Sequence, residues 1–169
     1  FPYNGSNSGM DVRLDTMESK YNIRRWVTPD FFRVFRYQGA NGETPEQLAA
    51  LLKEGTFMVS RNVFESRYKI DLKDYVGKEF CLDQDTAHLS KLVAALQVVR
   101  YDDFSSGAYS RSAVILLPEN RLASGNEICL RTNKNESAAF AEQLMKDAPS
   151  QYRVGNLFLT KVSSFRDIR

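Results

Sequence analysis

Between Thr44 and Gly55 the apolar positions fall at Leu48, Leu51 and Leu52, one face of a helix, and both ends of that helix are spelled out. Thr44 stands as N-cap, Pro45 at the first helical position and Gln47 at the third, a T-x-x-Q capping box, and Gly55 lies just past the end. A helix is therefore predicted over about 45–54. A second helical spacing, Leu89, Leu92, Val93, Leu96 and Val99 behind Asp85 or Thr86, predicts a helix over about 85–100 with an ordinary core face. A third helix is predicted over about 136–147, starting at Asn135. Its apolar residues Ala138, Phe140, Ala141, Leu144 and Met145 run most of the way round, which implies a mostly covered helix.

Between these lie shorter runs with the signature of strands. After the turn Thr28-Pro29-Asp30 comes an apolar run over 31–37 that carries Arg33 and Arg36. Phe57-Met58-Val59, a short strand or extended turn, "RYKIDL", "EFCL", "SAVILLPE" stopped by Pro118, and "NEICLRT" follow, with a last strand predicted over about 154–163 in "VGNLFLTKVSSF". Residues 1–10, "FPYNGSNSGM", are Gly/Ser/Asn-rich without a period, so residues 1–11 read as a flexible N-terminal arm and residues 12–169 as one globular domain. Strands and helices mix without regular alternation. The fold class expected is α+β, a single domain with a largely antiparallel mixed sheet and about three helices.

Composition narrows the function classes. The chain has 169 residues, 43% of them apolar, enough for one substantial core. Its 23 Lys and Arg against 21 Asp and Glu leave a formal net charge of +2, with the basic residues scattered singly, so no nucleic-acid partner is expected. No apolar run of about 18 residues occurs, so no membrane span is expected, and no charged n-region followed by an apolar h-region occurs, so no intact signal peptide is expected within the sequence. A start at Phe1 suggests a processed or trimmed polypeptide. Two sequons, Asn4-Gly5-Ser6 and Asn135-Glu136-Ser137, decide nothing.

Cys81 and Cys129 each lie in an apolar, strand-like setting, and two readings stay open for them. They are either two buried free thiols or a disulfide closing a loop of about 50 residues, which chain entropy credits with roughly 4 kcal/mol. A secreted or extracytoplasmic location goes with the disulfide. The lone histidine, His88, sits within the second predicted helix as a surface or interface residue and cannot by itself build a His-rich metal site. Phosphate-cradling glycine loops and nucleophile elbows are missing from the sequence. Paired carboxylates such as Asp102-Asp103 and Asp83/Asp85 are accounted for by loop solvation and helix-dipole matching.

An arginine pointing inward from a strand is costly unless it meets an anion, and its planar fork suits a phosphate. Arg36 is such a candidate, with Arg33 on the opposite face of the same predicted strand; the plainer reading puts them on the solvent face or at the strand's end, paired with local acids. Val34-Phe35-Arg36-Tyr37, Pro45, the helix after it and Gly55 to Phe57 resemble the opening of the pertussis-like and cholera-like ADP-ribosyltransferase toxins. "CLRTNKNESAAFAEQL" followed by "GNLFLTKVSSF" resembles that family's second block, with Arg131-Thr132-Asn133 where it carries Ser-Thr-Ser. The resemblance implies that NAD is the cofactor, held by Arg36 with Thr132 supporting the nicotinamide strand, and that ADP-ribose is transferred to a host protein. Its catalytic Glu has no counterpart, since neither Glu-x-Glu nor Gln-x-Glu follows the second block.

A different class of function has its own support. Aromatic residues make up 12% of the chain, and "YNIRRWV" interleaves basic and aromatic side chains of the kinds enriched at interface hot spots. These features suit a secreted, non-enzymatic protein-binding module, or a subunit of a larger assembly whose last strand a partner chain completes.

Overall fold

A computed structural model describes residues 2–3, 8–13, 20–97, 114–118, 127–128, 130–133 and 136–151. The described residues up to Leu130 belong to one compact unit and those from Arg131 onward to another.

The first unit is built on a closed six-stranded barrel. Its strands are β2 (Ser8–Arg13), β3 (Lys20–Val27), β4 (Thr56–Ser60), β5 (Glu79–Leu82), β6 (Leu89–Leu96) and β7 (Val114–Pro118). They close in the order β2-β3-β7-β4-β6-β5. β3 runs parallel to β7 and β4 parallel to β6, while the other four pairings are antiparallel, so the sheet is mixed and largely antiparallel as expected. Closure removes the exposed edges that an open sheet of this size would carry. A separate two-stranded pairing joins β1 (Pro2–Tyr3) to β8 (Glu127–Ile128). The segment expected as a flexible arm thus supplies β1 and the first residues of β2.

Alternate residues of the barrel strands feed two cores. Met10, Val12, Phe57, Val59, Phe80 and Leu92 pack together with Phe64 and Tyr68 of α3 (Arg61–Tyr68). The opposite rows, Met58, Ala94, Leu96 and Leu116, pack under α1 (Asp30–Phe35) and α2 (Pro45–Leu51) through Phe31, Phe32, Leu48 and Ala49. Each fully buried Phe or Leu contributes about 1.5–3 kcal/mol.

α2 forms where its caps place it. Thr44 Oγ1 accepts from Gln47 N and Gln47 Oε1 accepts from Thr44 N (2.8 Å), the reciprocal capping box. Gly55 takes the left-handed conformation at φ +73°.

Three expectations are corrected. Residues 31–37 are not a strand: Phe31 and Phe32 are both buried and the Phe35 ring packs at a tilt against Phe31, centroids 5.1 Å apart, contacts that a helical turn makes and a strand, sending neighbours to opposite faces, does not. Where the described residues cover the helix expected over 85–100 they form a loop and then strand β6, whose second half, Leu92–Leu96, feeds both cores and is apolar on both faces, so its sequence matches a helical spacing equally well. "RYKIDL" is the end of α3, closed by Lys69 in a left-handed cap, followed by a 3-10 turn at Leu72–Asp74.

The described part of the second unit is dominated by α4 (Ser137–Gln151), which brings the α-helices among the described residues to four. It is not mostly covered: Phe140 is 42% and Met145 40% exposed. The strand expected over 154–163 lies outside the described residues.

Candidate functional site

One end of the barrel gathers the exposed chemistry. β3 and β7 finish there and β4 and β6 begin there, because β3 parallels β7, β4 opposes β7, and β6 parallels β4. β5 ends at the same rim and passes into the loop 83–88 before β6.

Trp26 stands on this rim, 45% exposed. Its ring is covered by the guanidinium of Arg24, whose Cζ lies 4.3 Å from the ring centroid. Arg24 is held in turn by Asp83, with Nη1 to Oδ2 at 2.6 Å. Asp83 also accepts from the Asp11 amide through Oδ1 (3.1 Å) and donates its own amide to the Asp11 carbonyl (2.8 Å). Asp83 and Gln84 both take left-handed conformations, φ 52° and 61°, which turn the chain sharply enough to present that carboxylate. The row Trp26–Arg24–Asp83 is therefore a pre-ordered aromatic–cation–carboxylate unit, the composition found at interface hot spots.

Beside it lies a recess of about 340 Å3 lined by Asp11, Arg13, Cys81 and Gln84. Gln84 Nε2 reaches Asp11 Oδ2 at 3.4 Å. Farther along the same loop Asp85 accepts from the amides of Ala87 and His88 and pairs with His88 Nδ1 at 3.0 Å. The His88 hydrogen bond holds the Asp85 carboxyl below its usual range. His88 is a surface residue as expected, but on a strand-connecting loop rather than a helix.

The residues singled out from sequence are placed differently. Arg36 is exposed and caps the C-terminus of α1 in the left-handed region at φ 53°, its amide donating to Phe32 O. Arg33 pairs with Asp30 at 2.9 Å, one turn away. Thr132 is half-buried in an irregular segment of the second unit, so the two fall in different units. The buried arginine among the described residues is Arg25 of β3, 3% exposed, which the sequence reading passed over. Strict alternation along "NIRRWV" puts Arg25 opposite in direction to Arg24 and Trp26 and would have found it. Cys81 is a buried free thiol, the first of the two readings open for it and not the disulfide; Cys129 itself lies outside the described residues. Among the described residues no cluster of three or more metal-ligating side chains occurs, and no helix is long and apolar enough to cross a membrane.

No protein family and no curated relative matches the sequence. Among solved structures, the chain is similar to a domain of a protein described as a permease from Porphyromonas gingivalis, at 14% identity and a TM-score of 0.53. The match covers 82% of this chain and 58% of that one, so the chain spans somewhat over half the length of that domain. A second similar structure is the extracellular domain of the noncanonic ABC-type transporter YknZ from Gram-positive bacteria. It matches at 12% identity and a TM-score of 0.49, over 86% of this chain and 74% of that one. Neither is an ADP-ribosyltransferase. Together with helix α1 in place of the strand expected to carry Arg36, the fold shared with the permease domain overturns the resemblance to the toxin family and the toxin function drawn from it.

Proposed function

We propose that this chain is a non-enzymatic, extracytoplasmic domain of a membrane-transport assembly, which meets the rest of that assembly through the barrel rim around Trp26. The observation that carries the reading is the likeness in fold to the permease domain over 82% of the chain. The rim supports it: an exposed tryptophan locked under an arginine loses little freedom on binding, which is what makes such a group an effective anchor. The extracytoplasmic location belongs to the transporter reading and no longer leans on a disulfide.

The test is co-purification. A tagged chain produced in its source organism and extracted from membranes with detergent is expected to bring down, in stoichiometric amount, a polypeptide with several apolar stretches of about 20 residues. Recovery of the chain alone, or release of nicotinamide from NAD by the purified chain, overturns the reading. Protease added to intact cells is expected to cleave the domain; full protection would exclude the extracytoplasmic location.

A further inference from the structure

The barrel closes through seams of unequal strength. Among the described residues, β2–β3, β3–β7 and β4–β6 each pair over five residues, whereas β4–β7 and β2–β5 each pair over two. The short β4–β7 seam is locked from both sides: Val59 and Ile115 face one core, Met58 and Leu116 the other, and all four are fully buried. At β2–β5 one side alone is locked. Val12 and Leu82 face a core, but the other pair sets exposed Arg13 opposite Cys81, where the recess opens. Local opening follows the seam with the least burial, and parting β2 from β5 leaves every other pairing of the sheet intact.

Beyond its two pairs, that seam is held by Asp83. The Asp83 amide donates to the Asp11 carbonyl (2.8 Å), its Oδ1 accepts from the Asp11 amide (3.1 Å), and its Oδ2 accepts from Arg24 Nη1 (2.6 Å). One residue of the β5–β6 loop thus grips β2 and β3 together, and the cation it grips on β3 is the one that lies over Trp26. The side chains of Arg24 and Asp83 are 22% and 44% exposed, so water competes for their contact and it can break without unfolding a core.

We infer that Asp83 is a latch: the β2–β5 seam opens locally when Asp83 releases its partners, and the same release takes the Arg24 cover off Trp26, so that barrel closure and the order of the rim form one two-state element. A partner that takes Trp26 with Arg24 in place binds the latched state and holds the seam shut. The inference rests on the proposed function only in treating the rim as a docking surface; the latch itself is a property of the isolated chain.

Cys81 reports the seam, and Trp26, the single tryptophan of the chain, reports the rim. Cys129→Ser in the full-length chain leaves Cys81 as the sole thiol, and its reaction with an excess of a bulky disulfide reagent is followed at fixed pH. In this parent, labelling is expected to be far slower than that of a cysteine peptide and nearly independent of urea below the unfolding transition, the mark of an opening that exposes little surface. Asp83→Asn keeps an acceptor for the Asp11 amide and suits the left-handed backbone at this position, so its loss is confined to the Arg24 contact. It is expected to speed labelling about three- to tenfold and to move the tryptophan emission to longer wavelength, with circular dichroism unchanged. Thr44→Ala, which weakens the cap of the helix over the other core, is expected to leave labelling as in the parent. Labelling of the parent as fast as the peptide overturns the latch. So does labelling that Thr44→Ala accelerates as much as Asp83→Asn, or that Asp83→Asn leaves unchanged. Faster labelling without an emission shift overturns the coupling to Trp26. A latch that behaves as expected while co-purification fails counts against the transport assembly alone; recovery of the partner while Cys81 labelling fails these tests counts against the latch alone.

Discussion

At Arg36 a cation ends a helix in a conformation that suits glycine. The α1 C-cap needs φ near +53°, and the Cβ of any L-residue crowds its own carbonyl there. The side chain is exposed, so what position 36 asks of its residue is backbone geometry. Arg36→Gly is expected to raise stability by up to about 1 kcal/mol, read as a higher urea midpoint with an unchanged slope. A lowered midpoint would show that the guanidinium makes a contact worth more than the strain. Arg24 and Trp26 were legible as interface chemistry because "YNIRRWV" places basic residues beside aromatic ones. Their partner Asp83, 59 residues on, was not, since nothing local brings the β5–β6 loop across to β3.

At the scale of elements, legibility followed the strength of local punctuation. α2 carries its own start and stop and was found to within three residues at its C-terminus, where the predicted end at 54 compares with Leu51. Thr44→Ala is expected to cost about 1 kcal/mol through the lost cap. Gly55→Val is expected to cost more, about 1–2 kcal/mol. A Cβ at Gly55 meets nothing within 4 Å, so that cost is conformational rather than steric contact. Unchanged denaturation midpoints in both variants would mean that neither terminus matters to the fold. β6 had no such punctuation. Val93 is the extra residue of a bulge, since Phe57 pairs with Leu92 and Met58 with Ala94, and the bulge breaks the period of two that would have distinguished a strand.

The barrel unit is held partly by a polar contact inside its core. Tyr68 of α3 donates from Oη toward the carbonyls of Val12 on β2 (3.0 Å) and Lys20 on β3 (3.3 Å), and accepts from Asn22 Nδ2 (2.9 Å). Three elements distant in sequence meet at one hydroxyl. Burial pushes the phenol above its ordinary value of 10.0, outweighing the opposing hydrogen bond from Asn22. The neutral form is therefore favoured in the folded protein. Its stabilising contribution is fully present below pH 10 and is lost as pH rises toward the folded value, because the unfolded chain releases that proton first. Tyr68→Phe is expected to cost about 1–3 kcal/mol at neutral pH and to flatten the loss of stability above pH 10, measured by urea titration across that range. A variant with the same alkaline slope as wild type would remove Tyr68 from this role.

Local chemistry fixed the capped helix α2, the apolar strands β4, β5 and β7, the α+β class and the candidate interface in "YNIRRWV", because caps, turns and short apolar runs act through neighbours in the chain. Barrel closure, the parallel pairings β3–β7 and β4–β6, the helical state of residues 30–35 and the meeting of Arg24 with Asp83 were decided only in three dimensions. Each depends on which of two apolar faces is covered and by what. Residues buried on both sides, such as those of β6, carry no period from which a local reading can tell.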